Sequence, residues 1–236
     1  EAVSLSYPDS QDKALKDICE KVYATLCKQF NIPVSHNIWA GKCAVYVFWE
    51  KRDYQKFSVD VVKFERGAEA GGFCGYRGDF VFVVMGPARS KAWFTELLVH
   101  ETTHAFIARY RSSRSIASWV NEGVAEFLCS TLLPRCNAVN KVTMATREAA
   151  RQNKPIAHVF KDVGLNSFDY GVAQSLVRYL IARDRKAFIE FFDLLKLGKK
   201  GEDGKRSNPL DTEAALQEAY GLNYKTLEAA WRKAIR

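Results

Sequence analysis

Two histidines four residues apart, with a glutamate directly after the first, constrain this chain more than any other feature: His100-Glu101-Thr102-Thr103-His104. The surrounding run from Lys91 to Arg109 has helical spacing, with Trp93, Leu97, His100, His104 and Ile107 on one stripe. On a helix, positions i and i+4 lie about 40° apart around the axis and roughly 6 Å apart along it. Both imidazoles can therefore reach one metal ion. Glu101 projects beside them as a carboxylate able to take a proton from water on that metal. The stripe faces inward, and two imidazoles with a carboxylate are expensive to bury without a metal or hydrogen-bond partners.

A second helical pattern follows, from Ser118-Trp119-Val120-Asn121-Glu122 to Leu133, with Ser118 predicted as its N-cap. A zinc ion on two histidines needs a third protein ligand and one open position. Glu122 comes 18 positions after His104, enough chain to end one helix, turn and enter the next. Glu126 is one turn further along the same face. Glu122 is thus the candidate third ligand, with Glu126 behind it, orienting a histidine through its other ring nitrogen. An exposed helix face is the plain alternative for two glutamates, but Val120, Ala125, Phe127 and Leu128 flank them closely.

The combination of His100-Glu101-x-x-His104 with Trp119-Val120-Asn121-Glu122-Gly123-x-Ala125 resembles the gluzincin zinc metallopeptidases, the thermolysin-like and peptidase-MA-like clan. The likeness is to its small peptidase-MA-like members; it is specific over residues 90–133 and looser towards the C-terminus. It implies His100, His104 and Glu122 as zinc ligands and Glu101 as general base. A metzincin would carry glycine at position 107 and histidine at position 110, where this chain has Ile107 and Tyr110. The G-x-M-E-N signature of large aminopeptidases is absent, so nothing marks recognition of a free N-terminus.

At 236 residues and 47% hydrophobic, the chain can bury a core as one domain or two packed lobes. No apolar run reaches 18 residues, so no membrane span is expected. The net charge of +8 is scattered, without an arginine-rich tract interleaved with aromatics, which argues against nucleic acid as a partner. The clusters Arg109–Arg114 and Lys199–Arg206 read as solvated loops. None of the six cysteines, Cys19, Cys27, Cys43, Cys74, Cys129 and Cys136, has C-x-x-C spacing, which excludes a zinc ribbon. Buried thiols and disulfides both fit this usage. Cys19 and Cys27 are about 12 Å apart along one helix, too far to bridge, whereas Cys129 and Cys136 straddle a helix end at Pro134 and form the best local pair. An even cysteine count and a start at Glu1 without methionine suit a processed, exported protein.

Along the chain, residues 9–30 have helical spacing closed by Asn31-Ile32-Pro33, and Cys43–Trp49 reads as a strand buried on both faces. Residues 50–62 are predicted as a short helix with Tyr54 and Phe57 inward. The stretch Gly71–Met85 reads as a hairpin, glycine-rich at first and strongly strand-forming afterwards. No G-K-[ST] follows, so its glycines do not make a phosphate cradle. The resemblance makes either Phe80–Met85 or the glycine loop an edge that pairs with an extended peptide. After Pro134 the helices predicted are 142–152, 170–182, 186–197, 212–220 and 224–235, with 198–209 a loop.

The expected fold is α+β and, by resemblance, zincin-like. One peptidase domain would comprise an α/β lobe (1–133) with a small mixed sheet and the zinc-binding helices, then a helical lobe (134–236), with the cleft between them. Related peptidases place a tyrosine or histidine of the second lobe on the oxyanion, which makes Tyr170 the candidate donor and His158 its rival. The expected activity is Zn2+-dependent hydrolysis of a peptide or protein substrate, with Glu101 and Tyr170 catalytic. The alternative is a module that keeps this fold but only binds a peptide or glycan; the intact Glu101 counts against it.

Overall fold

Residues 9–39, 41–161 and 164–236 are described by a computed structural model. They form two compact units, one ending at Phe106 and the other running from Ile107 to Arg236. Helices and one small sheet share the chain, an α+β composition as expected.

The N-terminal unit is built on strands β1 (Ala44–Val47), β2 (Gly72–Arg77) and β3 (Phe80–Met85), in the spatial order β1-β3-β2. β3 runs parallel to β1, with Ala44 opposite Phe82 and Val47 opposite Met85. It pairs antiparallel with β2, Gly72 facing Met85 and Arg77 facing Phe80, so the sheet is mixed. The hairpin turns at Gly78, whose φ of +53° costs glycine little. Side chains alternate along β3 and divide the core in two. Val81, Val83 and Met85 meet Leu98 and Ala105 of α3 (Lys91–Arg109) and Leu15 and Ile18 of α1 (Asp9–Gln29). Phe82 and Val84 on the other face meet Phe73 and Tyr54, the latter on α2 (Lys51–Lys56).

The structure corrects several expectations here. β1 is an edge strand, so only Val47 of its four residues is fully buried. β3 is the central strand, paired with β2 from Phe80 to Met85 and with β1 from Phe82 to Met85, and is not an edge; the sheet's edges are β1 and β2. The helix after β1 breaks into α2 and a wider π-helical turn over Phe57–Val61. Tyr54 nevertheless points inward and its hydroxyl donates to the Gly67 carbonyl.

The C-terminal unit holds α4 (Ser118–Leu132), α5 (Asn137–Gln152), α6 (Ser167–Arg183), α7 (Arg185–Leu197), α8 (Thr212–Tyr220) and α9 (Tyr224–Ala234). α6 is its centre, buried without interruption from Gly171 to Val177. Two glycines let neighbours close on it. A β-carbon on Gly123 of α4 would stand 2.6 Å from the Ala173 carbonyl oxygen, and one on Gly171 of α6 would collide with the Lys141 carbonyl of α5. Asn166 and Asp169 form a capping box at the start of α6, and Asp184, Asp211 and Asn223 cap the three later helices. Ser118 is not a cap: Ala117 holds that position without a side-chain bond, and Ser118 is the first helical residue.

The chain between α3 and α4 is pinned by α7. Asp193 accepts hydrogen bonds from the Tyr110 hydroxyl and from Arg111 Nε, both at 2.9 Å. Lys196, 2% exposed, donates to the backbone carbonyls of Ser112 and Arg114. No disulfide joins Cys129, buried on α4, to Cys136 at the start of α5. Residues 198–211 form a largely exposed loop crossed by one bridge, Lys200 to Arg206. Among the described residues no helix is long and apolar enough to cross a membrane.

Candidate metal centre

α3 is buried on most of its circumference. Leu98, Ala105 and Phe106 pack into the core of the N-terminal unit, Thr103 bonds back to the Val99 carbonyl, and Trp39 Nε1 donates to the Ala105 carbonyl. Thr102 lies 3.8 Å from Cys19 of α1. The helix is therefore held rigidly on both sides of the two histidines, which are themselves only half-buried.

His100 and His104 turn their Nε2 atoms towards each other at 3.0 Å, with ring planes at 85°. A ligand atom of Glu122 completes a group in which all three ligand atoms lie within 4.8 Å of one another. Two nitrogen donors and one carboxylate oxygen are the element types and number with which a protein can hold one metal ion while leaving a coordination position open. Two imidazoles and a carboxylate match borderline divalent transition metals better than calcium or magnesium, which take all-oxygen sets.

Glu101 is 8% exposed. Its charge is felt at two neighbours: burial pushes the Tyr54 hydroxyl up to about 12, and the Glu101 carboxylate adds to that. Burial likewise raises the Cys74 thiol, again with Glu101 contributing. A carboxylate buried to this degree sits in a low-dielectric setting that strengthens its electrostatic interactions.

Glu126, 3% exposed, binds Lys141 Nζ through Oε1 at 2.6 Å. The same ammonium sits 5.1 Å from the ring centroid of Tyr170 near the start of α6. Tyr170 and Glu126 are therefore brought to a common neighbour that sequence reasoning missed. Lys141 lies 15 positions beyond Glu126 on the next helix, and no local pattern marks it. His158, the rival to Tyr170, is engaged differently. Its Nε2 lies 2.7 Å from Oδ1 of the buried Asp169, whose other oxygen accepts the Asn166 N–H of the α6 cap. That pairing ties His158 to the start of α6.

Compared with known proteins, the chain matches no family model and no curated protein sequence.

Proposed function

We propose that the chain is a zinc-dependent peptidase of gluzincin type with a zincin-like fold, hydrolysing bonds in a peptide or protein substrate. The observation that carries this reading is the grouping of His100, His104 and Glu122 ligand atoms next to an intact Glu101 on the same helix. His100, His104 and Glu122 would hold the ion. A bound Zn2+ supplies Lewis acidity, lowering the pKa of its water towards about 7 and polarising a carbonyl.

Glu101 accepts the proton of the attacking water and passes it to the departing amine, a shuttle for which a carboxylate held on a rigid helix is suited. Tyr170 donates its hydroxyl to the oxygen of the scissile carbonyl as charge develops there. Glu126 orients the ligand set from one turn beyond Glu122. A module that only binds its peptide has no use for Glu101.

The test combines metal analysis with one substitution. Protein purified without chelators is expected to carry zinc, and Glu101→Gln is expected to retain it while hydrolysis of a peptide library disappears. Protein devoid of any transition metal overturns the reading. Loss of zinc from the Glu101→Gln variant would show that this carboxylate is a ligand instead of the base.

A further inference from the structure

Lys141 belongs to neither the histidine motif nor the glutamate helix, yet its ammonium meets two candidate residues at once. It bonds Glu126 Oε1 at 2.6 Å and lies over the Tyr170 ring at 5.1 Å, within cation–π range. Its side chain is 23% exposed and that of Glu126 3%, so this is no solvated surface pair. A carboxylate buried to that degree is costly unless a cation compensates it, and the Lys141 ammonium is in direct hydrogen-bond contact with it. The meeting point is built into the backbone: Gly171, next to Tyr170, has no β-carbon and so admits the Lys141 carbonyl against α6.

We propose that Lys141 is a positioning residue of the candidate centre, pinning the Glu126 carboxylate of α4 and the Tyr170 phenol of α6 to one ammonium on α5. The proposal rests on the peptidase reading and deepens it. Glu126 stands one turn from the ligand Glu122, and Tyr170 is the oxyanion donor, so one cation acts through two other residues on metal retention and on transition-state stabilisation. Neither effect requires Lys141 to touch zinc or substrate.

The experiment measures zinc affinity of the full chain by chelator competition for wild type, Lys141→Met, Lys141→Arg, Glu126→Gln and the Glu126→Gln/Lys141→Met double variant. Lys141→Met is expected to lose about 10-fold in affinity, as outer partners of metal ligands do. Lys141→Arg, which keeps a cation, is expected to recover most of that loss. The double variant is expected to bind no more weakly than the weaker single variant, because both substitutions break one interaction. Should Lys141→Met fail to fold, the double variant is expected to fold, since it strands no charge. Wild-type affinity in Lys141→Met, or losses that simply add in the double variant, overturns the proposal. A wild type that binds no zinc overturns the metal reading itself, a separate result.

Discussion

The Nε2 atoms of His100 and His104 stand 3.0 Å apart on one helix face with their rings nearly perpendicular. Two imidazole nitrogens in that posture can share a hydrogen bond or both turn their lone pairs to one cation. Loading is therefore expected to reach about one zinc per chain, with the folded state stabilised by RT ln(1 + L/Kd) at free metal concentration L, a gain that rises with the logarithm of free metal once the site is saturated. His104→Ala is expected to abolish that metal-dependent rise in melting temperature. Equal melting temperatures for wild type with excess zinc and with chelator would count against the pair as a metal site.

The two glutamates of α4 should separate by degree. Glu122→Ala removes a ligand and is expected to leave no measurable zinc at micromolar concentrations. Glu126→Ala, which also strands the Lys141 ammonium, is expected to weaken zinc binding by about 10–100-fold without abolishing it. Identical affinities in competition titrations would mean that the two roles are misassigned.

Tyr170→Phe keeps the ring beside Lys141 and deletes only the hydroxyl. If that hydroxyl meets the developing oxyanion, kcat and kcat/KM fall together by roughly 10²–10³-fold, with zinc content unchanged. His158→Ala, measured on the same peptide, is expected to alter stability more than turnover, because its partner Asp169 belongs to the cap of α6. A normal kcat in Tyr170→Phe would remove this tyrosine from the reaction.

Burial, and secondarily the charge of Arg109, pushes the Lys196 ammonium down from 10.5 to about 8. Between those values the unfolded chain binds the proton and the folded chain does not, so stability rises with pH across the window of about 8 to 10.5. Below about 8 the folded state bears the full cost of the buried charge. Lys196→Met lacks this titration. The stability of the wild type relative to Lys196→Met is therefore expected to increase from pH 8 to pH 10.5, by up to about 3 kcal/mol. Urea unfolding of both proteins at pH 7, 8, 9 and 10 measures it, and parallel curves would contradict the assignment.

Much of the architecture was legible in local pattern. The 3.6-residue period marked α1, α3, α4 and the later helices to within a few residues at most ends, the exceptions being the starts of α5 and α6, which lie five and three residues earlier. The alternation and glycines of residues 71–85 announced the hairpin. Spacing alone puts His100 and His104 side by side on α3, with Glu101 next to the first, because a helix makes i and i+4 neighbours whatever surrounds it. Glu122 followed from the demand for a third ligand, and the structure brings its ligand atom to the pair.

What tertiary structure alone decided are the relations that no period encodes. Strand order made β3 central and β1 an edge, since a parallel partner is chosen by long-range packing; a continuous apolar run cannot reveal which of its sides is paired. The Lys141 ammonium joined Glu126 to Tyr170 only because Gly171 lets two helices approach more closely than side chains ordinarily allow. Lys196, in the last turn of α7, is buried against the carbonyls of Ser112 and Arg114, a contact that no local pattern marks. For Glu126 and Lys196 a contact between residues distant in sequence compensates a buried charge whose local surroundings give no sign of it. Such contacts depend on where whole helices and strands come to rest, whereas the histidine pair depends only on the pitch of one helix.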